Sequence, residues 1–392
     1  MARNCQYSEY WDKSHYNVDI DEDVSRSGTY IDRCVNTINI EKVDNKPTGG
    51  YKQYRHSFNN HKVQIANIRH KNQNQDGFDE IKNKTYIEVS VFYFEFDIGN
   101  DLPLLVKLTK SNTTHEYYKK VDYFVTSSSW KTDLDVKEES QLSPKLTEIS
   151  RGLNTVIVLR VNQVKNGTYY ANGTEKPPDA NQTTQVQVIH STYETVYKKY
   201  LHKLPYKKLR VIYTKTSNKN IPFESPVLRN EYNEASVYFW EGDDSRANPL
   251  LLELKPASNT PSYYILSGEG IGKKWTKDSN TPSTLKEKLD KQNCERNQAH
   301  TIDISKKSSS SSNNYDCPSC VSTPAMISIT SSSIDQANVI KYSHKVIIGS
   351  IGKFVCKGKT QRGIDITANI KTATVYWYPE IGTLIPLEDK YK

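Results

Sequence analysis

From Val89 to Asp97 nearly every position is apolar or aromatic, and after a polar turn Pro103-Leu-Leu-Val-Lys-Leu108 follows. β-Branched and aromatic residues favour a pleated strand. The Gly, Asn and Asp between the two runs are turn chemistry, so the pair predicts a β-hairpin. Val91 and Tyr93 fall on one face of the first strand, and Phe92, Phe94 and Phe96 on the other. Such a strand is either covered on both sides or left open on one for a ligand. The pattern returns at Ala235–Asp243 with Pro249–Leu254, and again at Ala373–Glu380 with Ile385–Glu388.

The correspondence runs past the hairpin. Tyr117 and Tyr118 match Tyr263 and Tyr264, and Trp130 matches Trp275. Two runs with an early proline follow, Ser143-Pro144 and Thr281-Pro282, which read as the N-cap and first position of a short helix. A strand comes after each, Asn154–Val161 and His300–Ile304. Upstream, Tyr51–His56, Tyr197–His202 and Ile340–His344 correspond. A fixed order of landmarks at a long period means tandem modules. The expected organisation is an acidic N-terminal arm at 1–33, modules at 34–161 and 184–307, a truncated third module at 317–392, and linkers at 162–183 and 308–316. The predicted fold class is β-rich α+β, each module a mostly antiparallel sheet with one short helix.

A chain of 392 residues has room for two or three such modules. Only 35% of it is hydrophobic, but 27 residues are tyrosine, which suits folded β domains with polar surfaces better than a disordered chain. No apolar run approaches the roughly 18 residues of a transmembrane segment.

The aromatic strand, the Glu241-Gly242-Asp243 turn, Pro249–Glu253, the Tyr263-Tyr264 pair and Lys274-Trp275 together resemble the FAINT domain. That module is expanded in piroplasm parasites of the Theileria type, usually as tandem copies in secreted proteins. Residues 235–304 carry the resemblance best, 89–161 less closely, and 373–388 as a fragment. Leu289–Cys294 with His300–Ile304 is similar to the ends of such repeats. The resemblance implies a non-enzymatic protein, secreted or exposed to the host cell, and it brings no catalytic residues. Met1-Ala-Arg-Asn-Cys5 shows no apolar signal segment, so either a leader precedes Met1 or the protein stays inside the cell.

Catalytic motifs are absent from the sequence: there is no HExxH, no GxSxG and no dinucleotide fingerprint. Glu95 with Asp97, and Glu241 with Asp243, are carboxylate pairs placed at turns. His56, His202 and His344 occur one per module, which is too few for a metal cluster within a module. Cys317-Pro-Ser-Cys320 has a CxxC spacing, but zinc needs a second pair of ligands and none stands close by in sequence. Cys34 and Cys320 occupy the same place ahead of the first strand of their modules. The cysteines are therefore expected to be structural thiols or disulfides, with no metal and no cofactor.

Charge changes the picture most. The formal net charge is +8, and the tracts 45–75, 195–223 and 336–364 contain no acid at all. They fall at the same place in each module. Lys52, Arg55 and Lys62 in the first, with Lys198, Lys199, Lys207, Lys208 and Arg210 in the second, are the candidate binding residues. A repeated basic face suits a sulfated or sialylated glycan or an anionic membrane surface. Nucleic acid is a weaker fit: Tyr206 and Tyr213 could stack on bases, but no nucleic-acid fold is visible. The competing reading is lysine protection of sheet edges. The expected function is a non-enzymatic tandem-repeat binding protein acting on a host or parasite macromolecule. The alternatives are a carbohydrate-active enzyme with the aromatic hairpin as a sugar platform, and an intracellular nucleic-acid-binding protein.

Overall fold

The computed structural model describes residues 15–378 except 60, 125, 164, 176–183, 217–218, 259, 269–271, 280–283, 309–312, 321–324, 335–338, 365 and 367–368, together with the backbone of 384–385. The chain is β-rich, with two α-helices among the described residues. The first group of elements is β1 (His15–Asp19), β2 (Ser27–Ile31), β3 (Thr37–Asp44), β4 (Tyr51–Ser57), β5 (Val63–His70), β6 (Gln73–Asn74), β7 (Thr85–Tyr86), β8 (Glu88–Phe94), β9 (Leu105–Ser111), β10 (Thr114–Lys120), β11 (Trp130–Thr132) and α1 (Leu142–Gly152). The second is β12 (Val156–Arg160), β13 (Gly167–Tyr170), β14 (Gln185–Tyr193), β15 (Tyr197–Lys203), β16 (Arg210–Lys215), β17 (Asn220–Ile221), β18 (Tyr232–Trp240), β19 (Leu251–Pro256), β20 (Ser262–Ser267), β21 (Lys274–Lys277) and α2 (Leu285–Asn297). The third is β22 (Ala299–Asp303), β23 (Asn314–Asp316), β24 (Met326–Ile334), β25 (Val339–Val346), β26 (Ser350–Cys356), β27 (Lys359–Thr360), β28 (Thr372–Trp377) and β29 (Leu384–Ile385).

The same two sheets recur in each group. A seven-stranded sheet of order β11-β10-β9-β8-β4-β3-β2 is repeated as β21-β20-β19-β18-β15-β14-β13, and in shorter form as β29-β28-β25-β24-β23. A small sheet pairs β1 with β5, β12 with β16 and β22 with β26, all in parallel. Even the irregularity repeats: the register slips between the second and third residues of β1, β12 and β22. The hairpin β8–β9 superimposes in pattern on β18–β19, with Val91 opposite Val106 and Val237 opposite Leu252. Trp130 and Trp275 take equivalent places on the last strand of their sheets. The Trp130 indole N–H donates to Gln75 at 3.0 Å and that of Trp275 to Thr214 at 2.7 Å.

The central strand is covered on both faces. Val89, Val91 and Tyr93 of β8 pack with Ile65 and Ile68 of the small sheet. Phe92 and Phe94 pack with Leu142, Leu146 and Ile149 of α1. That helix has the i, i+4, i+7 stripe expected of one lying on a sheet. It starts at Leu142, ahead of Ser143-Pro144, so the proline sits within the first turn where its missing N–H costs nothing. In α2 the cap is Thr284, whose hydroxyl accepts from the Glu287 N–H in a capping box; the expected Thr281-Pro282 cap lies outside the described residues.

The module edges differ from the sequence grouping. Val156–Arg160 reads as the closing strand of the first module, yet its ladder is with β16 of the second. Likewise β22 follows α2 but pairs with β26 of the third. The residues assigned to the acidic arm and to the two linkers contain β2, β13 and β23, the first strand of each large sheet. The second and third modules thus take their parallel strand from the segment that follows the previous helix, and those junctions are built into the ladders. The core around α2 joins Leu289 and Trp240 to Ile327, Ile351 and Val375 of the third module. No helix of the described residues is long and apolar enough to cross a membrane.

Candidate functional site

Two of the four hairpin carboxylates, Asp97 and Asp243, are consumed by their own turns. Asp97 is buried, and its two oxygens accept from the N–H groups of Asp101 at 3.0 Å and Leu102 at 2.8 Å. Burial raises its pKa to about 6. Asp243 repeats the arrangement, accepting from Asn248 N–H at 2.9 Å, Ala247 N–H at 3.3 Å and the Ser245 hydroxyl at 2.9 Å. These are loop caps of the kind that fix tight connections. The aromatic rings of the hairpin are inside: Phe92, Tyr93, Tyr238 and Phe239 are all buried. The faces of those four rings are covered, whereas Phe96 is half-buried.

The eight basic residues do not form one face. Lys52 is buried, its ammonium donating to the Asp97 carbonyl at 2.6 Å, and burial lowers its pKa. Arg210 is also buried and donates to the Tyr123 carbonyl at 2.9 Å. Arg55 is held by Glu88 at 2.8 Å and Glu41 at 3.0 Å. Lys198 pairs with Glu241 at 2.7 Å, and Lys199 lies 3.8 Å from Glu253 and over the Tyr238 ring. The acids missing from these tracts come from elsewhere in the fold: Glu41 and Glu88 on the strands flanking β4, Glu241 after β18, Glu253 on β19 and, for Lys353 of the third tract, Asp290 on α2. Lys62, Lys207 and Lys208 remain at the surface, Lys208 within 3.5 Å of Glu231.

Those three occupy equivalent loops, β4 to β5 and β15 to β16, where the chain leaves the large sheet for the small one. Each such loop contains a residue with left-handed backbone: Asn59 at φ 46°, Tyr206 at φ 59° and, in the third module, Gly349 at φ 84°. Tyr206 stands out, because a bulky side chain rarely adopts positive φ and this one is fully exposed. Tyr213, the other aromatic of the tract, packs against Phe96 with ring centroids 4.6 Å apart.

The histidines are structural. His56, His202 and His344 are buried, and each Nδ1 meets a tyrosine hydroxyl, that of Tyr30, Tyr169 or Tyr315. They are not metal ligands in this arrangement.

A fourth histidine was not singled out by sequence and belongs to a different cluster. Cys294 in the last turn of α2, His300 on β22, and Cys317 and Cys320 between β23 and β24 bring four buried ligand atoms within 4.8 Å of one another. Cys294 and Cys320 are joined as a disulfide, with Cα atoms 5.6 Å apart. Cys317 is a free buried thiol whose pKa is raised by burial. His300 Nδ1 lies 3.1 Å from Cys320 Sγ and 3.8 Å from Cys294 Sγ, while its Nε2 is 2.8 Å from the Ile348 carbonyl. The second ligand pair that Cys317-Pro-Ser-Cys320 lacks nearby in sequence is thus provided by the fold. The signal available beforehand was Cys294-x5-His300 shortly upstream of the CxxC.

No protein-family model, curated protein or solved structure matches the chain.

Proposed function

We propose that the chain is a non-enzymatic tandem-module binding protein whose partner carries negative charge and docks at the loop joining the large and small sheets. The observation that carries the reading is the β15–β16 loop, where a fully exposed Tyr206 in left-handed conformation is followed by Lys207 and Lys208. Backbone held in a disfavoured region by its surroundings is a feature of recognition sites. An exposed ring followed in the chain by two exposed lysines, of which Lys208 is shared with Glu231, offers apolar contact and charge on one loop, which suits a sulfated or sialylated glycan. Lys62 adds charge at the equivalent loop of the first module. The loop caps on Asp97 and Asp243 and the tyrosine-bonded histidines support the non-enzymatic side of the reading, since these groups are already bonded. The resemblance to the FAINT domain points the same way, towards a secreted protein displaying repeated modules to a host surface.

The test is retention of the full-length protein on immobilised heparin at low salt. Raising salt from 0.1 M to 1 M shortens the screening length from about 10 Å to about 3 Å, so retention must fade across that range. Lys207→Glu with Lys208→Glu should abolish most of it. Lys131→Glu with Lys137→Glu, the same charge change at exposed positions of the first module, should not. A wild-type chain that passes through unretarded, or equal losses in both double variants, would overturn the reading.

A further inference from the structure

We propose that Cys294, His300, Cys317 and Cys320 form a structural zinc site that pins α2 to the third module, with the Cys294–Cys320 bridge as the oxidised form of the same residues. A disulfide needs two cysteines. Here a third cysteine and a histidine are buried against it, and every ligand atom is within 4.8 Å of every other. Tetrahedral zinc with bonds of about 2.3 Å to sulfur and 2.0–2.1 Å to nitrogen places its ligands roughly 3.6–3.8 Å apart. His300 Nδ1 is 3.8 Å from the Cys294 sulfur, which matches, and 3.1 Å from the Cys320 sulfur, which would move outward by about half an ångström once the bridge opens and zinc enters. Three sulfurs and one nitrogen in a closed, buried set select zinc among the common divalent ions.

The histidine is already oriented for a metal. A carbonyl oxygen only accepts, so the 2.8 Å contact with Ile348 makes Nε2 the protonated nitrogen. Nδ1 then presents a lone pair to the sulfurs, and neither sulfur of a disulfide has a proton to give it. A backbone carbonyl fixing the far nitrogen is the usual support of a metal-bound imidazole. Cys317 is prepared in a complementary way. Its sulfur accepts the Thr301 N–H at 3.2 Å, a backbone donor that holds the sulfur in place toward the cluster.

The site also answers a weakness in α2. Where α1 rests on Leu142, Leu146 and Ile149, the inward face of α2 carries Lys288, Asp290, Gln292 and Asn293 beside Leu289. Its last turn is anchored through Cys294. Pro318 and Ser319, the two residues between Cys317 and Cys320, line an open cleft of about 440 Å³ beside the helix. Reduction of the bridge by a dithiol transfers two electrons and two protons, leaving two thiols and one oxidised reductant. Zinc then binds as the three cysteines release three protons to solvent and His300 contributes its neutral nitrogen.

The experiment uses the full-length chain, reduced with a phosphine and titrated with Co²⁺ and Zn²⁺. Wild type should take up about one equivalent, with thiolate-to-cobalt charge transfer and tetrahedral d–d bands that zinc abolishes. Cys317→Ser keeps the option of the Cys294–Cys320 bridge, so it folds in oxidising buffer; after reduction it should lose stoichiometric binding, as should His300→Ala. Cys356→Ser should bind as wild type, since Cys356 lies outside the cluster. Alkylation followed by mass spectrometry supplies a readout independent of spectra. Zinc should shield Cys294, Cys317 and Cys320 but leave Cys356 reactive, and a chelator should remove the shielding. A reduced wild type with no cobalt spectrum and no zinc-dependent shielding would overturn the proposal, as would undiminished binding in Cys317→Ser.

Discussion

The Tyr169 hydroxyl lies 3.1 Å from His202 Nδ1, although the two residues stand on strands separated by β14. The hydroxyl also accepts the Arg160 N–H at 3.2 Å, so its own proton goes to the imidazole. Tyr30 with His56 at 3.1 Å and Tyr315 with His344 at 3.0 Å repeat the pair. The strand between contributes Val186 and Val188 in the second module, Ile38 and Ile40 in the first, and Ile327 and Ile329 in the third, at identical register. In all three the Nε2 is buried without a hydrogen-bond partner among the described residues. Recurrence of one unsatisfied nitrogen marks a shared architectural compromise, in which the tyrosine–histidine tie outweighs the cost of the idle nitrogen.

Those rings must stay neutral in the folded state, which makes the protein acid-sensitive. Burial lowers the pKa to about 3 at His56 and His202 and to about 4 at His344. Below about pH 6.5 the unfolded chain binds protons that the folded one refuses, so stability falls with falling pH by somewhat over ~1 kcal/mol per pH unit for each histidine. Asp97, raised to about 6, and Asp19, also raised by burial, act in the opposite sense, while His70, lowered to about 4, adds to the three histidines. Urea midpoints should drop steadily from pH 7 to pH 5. His202→Gln, uncharged throughout, should flatten the second module's share; an unchanged slope would contradict the assignment.

Loss of the tyrosine proton should cost the same in each module. Tyr30→Phe, Tyr169→Phe and Tyr315→Phe each strand an imidazole Nδ1, for which about 1–3 kcal/mol is expected. Chemical denaturation of the three variants provides the comparison. A large effect in one module and none in the others would break the equivalence of the pairs.

How much of this was legible in the sequence depended on locality. The hairpin Val89–Leu108 and its copy at Ala235–Leu254 announce themselves because aromatic density and turn residues lie within one short stretch. Trp130 and Trp275 were matched correctly for the same reason. Ser27–Ile31, Gly167–Tyr170 and Asn314–Asp316 read as arm or linker because they are short edge strands whose glycine, serine and asparagine look like loop chemistry. Val156–Arg160 reads as a strand, but only the ladder with Arg210–Lys215 reveals its partner. The acid-free tracts are subject to the same limit of locality. Lys198 finds Glu241 across the ladder between β15 and β18, a pairing invisible along the chain.

The junction of α2 with the third module rests on buried charge. Lys353 and Asp290 form an ion pair that is nearly shielded from solvent, and Asp290 also takes the Tyr197 hydroxyl at 2.5 Å and Lys286 at 3.0 Å. Removing one member of a buried pair leaves an uncompensated charge; Asp290 keeps Lys286, but Lys353 pairs with Asp290, so Asp290→Ala should cost about 3–5 kcal/mol. Lys255→Ala breaks the more exposed contact with Glu234 and should stay within about 1 kcal/mol. Thermal unfolding of the two variants gives the contrast; similar losses would mean that the junction is held mainly by its apolar core.

Lysine footprinting by mass spectrometry tests the binding account most directly. The full-length chain is labelled with an amine-reactive ester, with and without heparin, at low salt. Lys207 and Lys208 should lose reactivity when heparin is bound, with Lys62 following at the equivalent loop, while Lys131 and Lys137 label unchanged. Protection centred on Lys131 and Lys137, or no protection anywhere, would contradict the assignment of the β15–β16 loop as the docking site.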